Sequence, residues 1–318
     1  MAVLVTGVGY IGSRLVVDLL EHGQEVVAID NHFSTDAIAL ERLKQRAGFH
    51  FVHGDVGDRQ VIQKALGLRP IEAVFSLAAQ SSGHPQAADP RYTETTNLLA
   101  PRLLLDAMLA YGIETIVFAS SLRVYGNALP STVNAETPYG RFSDLSHLSK
   151  CYVEKLLEMY ATLHGLRCLS LRLGVVHGVA PIMKTDYRFM TAPNKFCLQL
   201  VRGEPIQIYA AGHATTGYIH VADASAAMMA VARQSDLTGY AILDVFTEVT
   251  SAHAVAAQVA WIGRARGLRA EVMVEGAFPA EEPSPPARPA LAGQQLEERN
   301  LMRHSLSEVM SYYQCASS

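Results

Sequence analysis

Gly7-Val8-Gly9-Tyr10-Ile11-Gly12 stands between an apolar run, Ala2-Val3-Leu4-Val5-Thr6, and a stretch with one apolar face, Ser13 to Leu20. A second apolar run, Glu25 to Ile29, ends on Asp30. Strand, glycine turn, helix, strand and terminal acid, in that order, make a dinucleotide-binding unit. Gly7 permits the tight turn, Gly9 lets main chain approach a pyrophosphate, and Gly12 lets the helix pack on the strand. The free N–H groups and positive dipole end of the helix complement phosphate charge. A carboxylate at Asp30 accepts from the adenosine ribose hydroxyls and repels a 2′-phosphate, so the expected cofactor is NAD and not NADP. Tyr10 and Ile11 in the turn, and Asn31 beside the acid, belong to the same expected cofactor site.

The elements that position this turn alternate through the first half. Phe49 to Val52, Ala73 to Leu77, Thr115 to Ala119 and Cys168 to Leu173 read as further strands. Val61 to Leu68 and Arg91 to Leu109 read as helices, and a third is capped by Ser143 or Asp144, runs to His164 and stops at Gly165. Six strands with intervening helices predict an α/β fold, a doubly wound parallel sheet of Rossmann type. Ligands then lie beyond the carboxyl ends of the strands. That rule gathers residues 7–12, Asp30, Asp55, residues 77–82, 120–125 and 174–178 around one crevice. After Gly178 the periodicity weakens. Helices are expected at 192–201, 223–232 and 252–264, and strands at 206–209, 218–221 and 241–245. The proline-rich stretch 279–289 reads as a loop or mobile segment. The expected division is an NAD-binding domain of residues 1–178, with returns from about 214–250, and a smaller C-terminal substrate-binding domain of 179–213 and 251–318.

Composition narrows the partners. The 318 residues are 49% hydrophobic and 18% charged, enough for a sizeable core. The net charge of −4 and the lack of a long basic run argue against nucleic acid. Cys151, Cys168, Cys197 and Cys315 are scattered without a CxxC pair, as expected of thiols in a reducing compartment. The N-terminus lacks a basic leader and no apolar stretch reaches membrane-spanning length, so the expectation is a soluble cytoplasmic protein with no membrane partner. No HxH or HExxH spacing points to a metal; His22, His32, His50, His53 and His164 read as loop or helix-end residues.

Further motifs carry a resemblance. They are residues 5–12, Gly54-Asp55, Leu77-Ala78-Ala79, Asn97, Ser120-Ser121, Val124-Tyr125-Gly126, Pro138-Tyr139-Gly140, Ser149-Lys150 and residues 218–223. Over nearly its full length the chain resembles the extended short-chain dehydrogenases/reductases, the nucleotide-sugar epimerases and dehydratases. Its second half is most similar to the UDP-sulfoquinovose synthases, at residues 147–150, 174–179, 186–187, 194–197 and 246–248. The resemblance implies NAD held by the first domain, a sugar nucleotide under the second, and a homodimer built from the helices near 91–109 and 143–164. It adds Asp55, Val56, Leu77, Ala78, Ala79, Asn97 and Lys150 to the cofactor residues; Asp55 is alternatively a helix cap. It makes Gln80, Ser81, Ser82, Arg123, Tyr187, Asn194, Lys195 and Tyr218 the substrate candidates. Many relatives carry one more residue between the first two glycines, which alters the approach to the pyrophosphate without abolishing it.

The family chemistry removes hydride from a sugar carbon while a Ser or Thr, a Tyr and a Lys share the proton work. The Lys ammonium and the nicotinamide charge lower the phenol pKa. Here Ser121 matches the first and Lys150 the last. The residue four before Lys150 is Ser146, not Tyr. A serine hydroxyl is shorter and far less acidic, so the same field does not make it a base near neutrality. Three readings follow: His147, Tyr139 or a water held by Ser146 and Ser121 replaces the phenol; the chemistry needs no such base; or the protein binds NAD without turnover. Tyr139, on the loop before the helix, stands slightly ahead of His147 as the substitute. Two departures concern substrate. Thr215-Thr216-Gly217 precedes Tyr218 where relatives carry a diphosphate-gripping Arg, and Ser81, near Ser82 and His84, replaces an Arg of the sulfoquinovose relatives. Arg288 is the remaining candidate for a second diphosphate arginine. These departures make a non-nucleotide substrate the alternative to a nucleotide sugar.

Overall fold

The computed structural model describes residues 1–84, 86–87, 89–126, 129, 133, 137–208, 214–274 and 300–317. The first half runs β1 (Ala2–Thr6), α1 (Tyr10–Glu21), β2 (Glu25–Asp30), α2 (Ala37–Lys44), β3 (Phe49–His53), α3 (Arg59–Leu66) and β4 (Ile71–Ser76). It continues with α4 (Pro90–Glu94), a π-helical turn (Thr95–Leu99), α5 (Ala100–Tyr111), β5 (Thr115–Ser121), α6 (Leu145–His164) and β6 (Arg167–Leu173). The second half adds β7 (Val175–His177), α7 (Ala192–Val201), β8 (Ile206–Ile208), β9 (Thr215–His220), α8 (Val221–Arg233), β10 (Tyr240–Val245), β11 (Glu248–Ser251), α9 (Ala252–Ala265), β12 (Val272–Val274) and α10 (Met302–Ser317).

Seven strands form one sheet in the order β10-β6-β5-β4-β1-β2-β3, and every pairing in it is parallel. The order reverses at β1, so β1 and β4 flank the switch point where such sheets bind ligands. The pleat divides the core into two layers. Val3, Val5, Val26, Ala28, Phe75 and Val117 pack with Leu15 and Val16 of α1 and Met228 of α8. The alternate residues Leu4, Val27, Ile29, Val74, Ile116 and Phe118 pack with Ile62 of α3, Leu105 and Met108 of α5 and Leu157 of α6. Period-2 alternation in strands buried on both faces produces this division. Truncating one such side chain, for example Leu15→Ala, costs about 2–5 kcal/mol.

Smaller sheets, β11-β9-β7 and β12-β8, lie in the second half. Three local features depart from the sequence expectation. The segment from residue 91 to 109 is not one regular helix: the π-turn interrupts it, and Pro101 at the start of α5 lacks the N–H that a regular ladder needs there. The strand near 241–245 joins the main sheet as its seventh member beside β6. Helices α2 and α10 are additions to the expected set, although Leu306, Val309, Met310 and Tyr313 of α10 are all buried. The proline-rich segment 279–289, Tyr209 and Arg288 lie outside the described residues. No helix among the described residues is long and apolar enough to cross a membrane.

Candidate active site

A cavity of about 690 Å³ opens at the carboxyl ends of β1, β4, β5 and β6. Its floor is the glycine turn. Gly7 has φ +81°, and a Cβ there would lie 2.7 Å from Ala78 N; a Cβ on Gly12 would lie 1.9 Å from Gly7 O. Neither position accepts a side chain without moving backbone. Above Gly9 the nearest atom a Cβ would meet is Thr35 Oγ1, at 3.7 Å. That space stands at the N-terminus of α1, whose first turn holds no acidic residue. The residues present therefore fit a dinucleotide diphosphate.

Gly7, Gly9, Tyr10, Ile11, Gly12, Asp30, Asn31, Val56, Leu77, Ala78, Ala79 and Lys150 all line the cavity. Asp30 is heavily engaged. Oδ2 accepts from Val8 N–H at 2.8 Å and from the Thr35 hydroxyl at 3.1 Å, and Oδ1 accepts from His32 N–H at 2.7 Å. One of its four acceptor positions, on Oδ1, is left for a ribose hydroxyl. His32 sits at φ +62° to make its bond. Asn31 Nδ2 donates to Asp55 Oδ2 at 2.7 Å and to the Tyr92 hydroxyl at 3.0 Å, and Phe33 stacks on Tyr92 at 4.2 Å. Asp55 also accepts from Gly57 N–H at 2.7 Å, whereas Asp58 caps α3. Asp55 is thus a turn residue behind Asn31 and not the helix cap. Asn97 does not line the cavity: it is buried in the π-turn, accepts from Gln80 N–H at 2.8 Å, and donates to Gln80 O at 2.9 Å and Ser149 Oγ at 3.0 Å. It ties the β4 loop to α6.

At the opposite end the cavity is lined by Ser121, Ser146, His147 and Lys150. Lys150 Nζ donates to Ala119 O at 2.7 Å and lies 4.7 Å from the Phe118 ring centroid. Burial pushes its amine down to about 8, against an upward pull from Glu154. Ser121 Oγ accepts from Arg123 N–H at 3.2 Å. Ser146, four residues before Lys150, is 4% exposed, a small and nearly covered side chain. Asp144 caps α6 by accepting from His147 N–H at 3.0 Å, and its other oxygen lies 2.6 Å from His147 Nδ1. Burial raises the Asp144 carboxyl, but the ring and backbone bonds from His147 outweigh it and leave the pKa below its ordinary value.

Tyr139 departs from expectation. It does not line the cavity; its hydroxyl donates to Glu154 Oε2 at 3.0 Å, and burial and Glu154 both push its pKa up. The reason is a buried charge. Glu154 is 0% and Arg172 1% exposed, paired at 2.7 Å, and the Glu154 carboxylate draws in the hydroxyls of Tyr139, Ser120 and Ser170. Ser120 donates to it at 2.6 Å, Ser170 at 3.2 Å. Arg172 donates in turn to the Tyr125 hydroxyl at 2.6 Å, and that hydroxyl donates to Asp244 at 2.8 Å.

Toward the second half, Ser81, Ser82, Arg123, Tyr187, Lys195, Thr216 and Tyr218 line the cavity. Gln80 and Asn194 do not: both are buried, with Gln80 Nε2 donating to Ser82 O at 3.1 Å and Asn194 Nδ2 to the Tyr10 hydroxyl at 3.1 Å. Tyr187 donates to Glu204 at 2.7 Å and lies 5.8 Å beneath Lys195, whose amine burial pushes down. Sequence reasoning misses Lys184, Phe33, Tyr92 and Asp144 as site residues. It reads Asp144 only as a cap, and Lys184 falls where the periodicity fades. No group of three or more candidate metal ligands exists among the described residues.

A family model for the NAD-dependent epimerase/dehydratase family matches residues 3–242. A UDP-glucose 4-epimerase of Bacillus subtilis is 35% identical over 161 residues, 50% of this chain and 47% of that protein. The match thus spans about half the length of such curated relatives. Among solved structures, the UDP-glucose 4-epimerase of Thermus thermophilus, in complex with NAD, superimposes with TM-score 0.79 at 27% identity over 97% of this chain and 99% of its own. That of Thermotoga maritima, with UDP-glucose, gives TM-score 0.82 over the full length of both chains at 23% identity, a likeness of fold. The NAD cradle, the parallel sheet and these matches lead to one conclusion: the chain belongs to the NAD-dependent epimerase/dehydratase family.

Proposed function

We propose that this enzyme oxidises the sugar ring of a nucleoside-diphosphate sugar and uses the resulting carbonyl for epimerisation, dehydration or a sulfoquinovose-synthase-type addition. In this reading the proton work of the missing phenol passes to His147. The observation that carries the reading is one continuous cavity, from the glycine turn past Ser121, His147 and Lys150 to Tyr187 and Lys195. When bound, NAD+ supplies the hydride acceptor. The chain's residues do the rest. Lys150 holds the nicotinamide ribose hydroxyls. Ser121 hydrogen-bonds the reacting sugar oxygen. His147, its Nδ1 held by Asp144, takes the hydroxyl proton at Nε2 and returns it when the carbonyl is reduced. Asp144 is a positioning residue: it fixes the ring and its tautomer. Lys195 and Arg123 supply positive charge for the substrate diphosphate. Residues 179–213 and 251–318 are the part of the chain assigned to hold the sugar nucleotide.

The test is incubation with NAD+ and UDP-glucose, following absorbance near 340 nm and the identity of the recovered sugar. His147→Ala should lower turnover by about 10²- to 10³-fold, with partial rescue by added imidazole. A variant that turns over like the parent removes His147 from the mechanism. Thr216 favours a second reading, a substrate lacking the nucleoside diphosphate; UDP-glucose neither bound nor oxidised beside normal NAD+ binding would support it.

The same reading includes a homodimer. Leu148, Tyr152, Met159 and Leu163 form an exposed stripe along α6, at 49%, 43%, 46% and 67% exposure. Their spacing keeps them on one side of the helix, the arrangement that pairs with a second copy.

A further inference from the structure

The segment after β7 packs on the first turn of α1. The Tyr10 hydroxyl donates to Gly178 O at 2.7 Å, and Ile182 N–H donates to Ser13 Oγ at 3.2 Å, on the first turn of α1. Two residues on, Lys184 enters the same cavity as Gly7, Gly9, Asp30 and Thr35. Its backbone is fixed from behind, where the Tyr313 hydroxyl donates to Lys184 O at 2.9 Å. Its ammonium lies 5.6 Å from the Phe189 ring centroid, and Phe189 stands edge-on to Phe33 at 5.7 Å.

The amine has no hydrogen bond or ion pair among the described residues. Two carboxylates act on it from a distance, Asp30 and Asp186. Asp30 is engaged by Val8, His32 and Thr35, and Asp186 pairs with Arg188 at 2.5 Å. Neither neutralises the lysine at contact distance. The cavity thus holds an amine with no anion at contact distance, and burial pushes that amine down to about 8. The anion that belongs over the N-terminus of α1 is a diphosphate.

We propose that Lys184 clamps the cofactor diphosphate from the side opposite α1, so that the second half of the chain closes the dinucleotide site. The inference rests on the assignment of the glycine turn to NAD but not on the sugar chemistry. The segment 178–190 then serves to carry one positive charge across the crevice mouth.

The test compares ligands that contain or lack the diphosphate, by calorimetry on the full chain. Lys184→Met should weaken ADP and NAD+ by about tenfold, the scale of one charge-assisted bond, and leave adenosine within twofold of the parent. Lys184→Arg should recover most of the ADP affinity, which separates charge from packing. Unchanged ADP affinity in Lys184→Met overturns the proposal. Equal losses for ADP and adenosine overturn it too, by showing a structural role. Weakening of 2′-AMP without weakening of ADP would place the charge at the ribose and also overturn it. None of these arms depends on sugar turnover, so the clamp fails or stands apart from the proposed reaction.

Discussion

Glu154→Gln should cost about 3–5 kcal/mol of stability, more than most single substitutions. The size follows from what the carboxylate holds. It is 0% exposed and accepts from Arg172 Nε at 3.0 Å and Nη2 at 2.7 Å, from Ser120 at 2.6 Å, Ser170 at 3.2 Å and Tyr139 at 3.0 Å. Arg172 is 1% exposed, and its guanidinium, protonated at any pH a protein tolerates, stays charged when its partner is neutralised. Glutamine keeps the shape but turns one acceptor oxygen into a donor nitrogen. Arg172 Nη2 or the Tyr139 hydroxyl is then left facing a donor, at about 1–3 kcal/mol each, besides the unbalanced charge. For a chain of this size the loss corresponds to a fall in melting temperature of roughly 4–8 °C. Urea unfolding gives the free energy, with an unchanged m-value expected. Arg172→Met should cost a similar amount. The double variant should cost less than the two single losses added, by at least about 1 kcal/mol, because no uncompensated charge remains. A loss below about 1 kcal/mol for Glu154→Gln, or strict additivity in the double variant, would refute the reasoning. Activity should fall with stability, since Ser120 adjoins Ser121 and Glu154 lies one turn beyond Lys150 on α6.

NAD+ should bind at least tenfold tighter than NADP+, because Asp30 repels a 2′-phosphate; equal affinities in calorimetry would contradict the role given to Asp30. Lys150→Ala should weaken NAD+ binding or abolish turnover with the far-ultraviolet spectrum unchanged; binding and turnover like the parent's would make it an ordinary lysine. Stability of the parent should rise between pH 8 and about 10, because folded Lys150 and Lys184 release protons near pH 8 while the unfolded lysines hold theirs to about 10.4. Lys150→Met should flatten part of that rise in urea melts, and an unchanged slope would show that the amine is well solvated. Ser146→Tyr should raise oxidation of UDP-glucose by restoring a phenol four residues before Lys150, and should harm the natural reaction if the pocket has been reshaped; no gain on UDP-glucose together with loss of the natural activity would favour a different chemistry.

The cofactor half of the site was legible because it is local. Residues 2–30 contain a strand, a turn, a helix and a second strand joined without interruption, and Gly12 meets its steric demand, the Gly7 carbonyl, within that unit. The cap at Asp144 and the stop at Gly165 were legible for the same reason, since each acts on the helix beside it. The alternation of continuous apolar runs with helical stretches was enough to predict a parallel sheet covered on both faces.

What the sequence left open depended on residues brought together from afar. Tyr139 and His147 both looked able to replace the phenol; only packing revealed that Glu154 captures the Tyr139 hydroxyl while Asp144 holds the His147 ring at the cavity. Asn97 and Gln80 read as ligand contacts, but the π-turn makes them partners of one another. Lys184 belongs to a segment without periodicity, so its place in the lining of the cavity exists only once Ile182 meets Ser13 and Tyr313 meets the Lys184 carbonyl. The sequence alone determined the strand-turn-helix unit and its acid, because backbone sterics and helix dipoles act over a few residues. Tertiary structure decided which charges face the cavity and which are spent on one another, because burial and Coulombic pairing depend on distance in space and not along the chain.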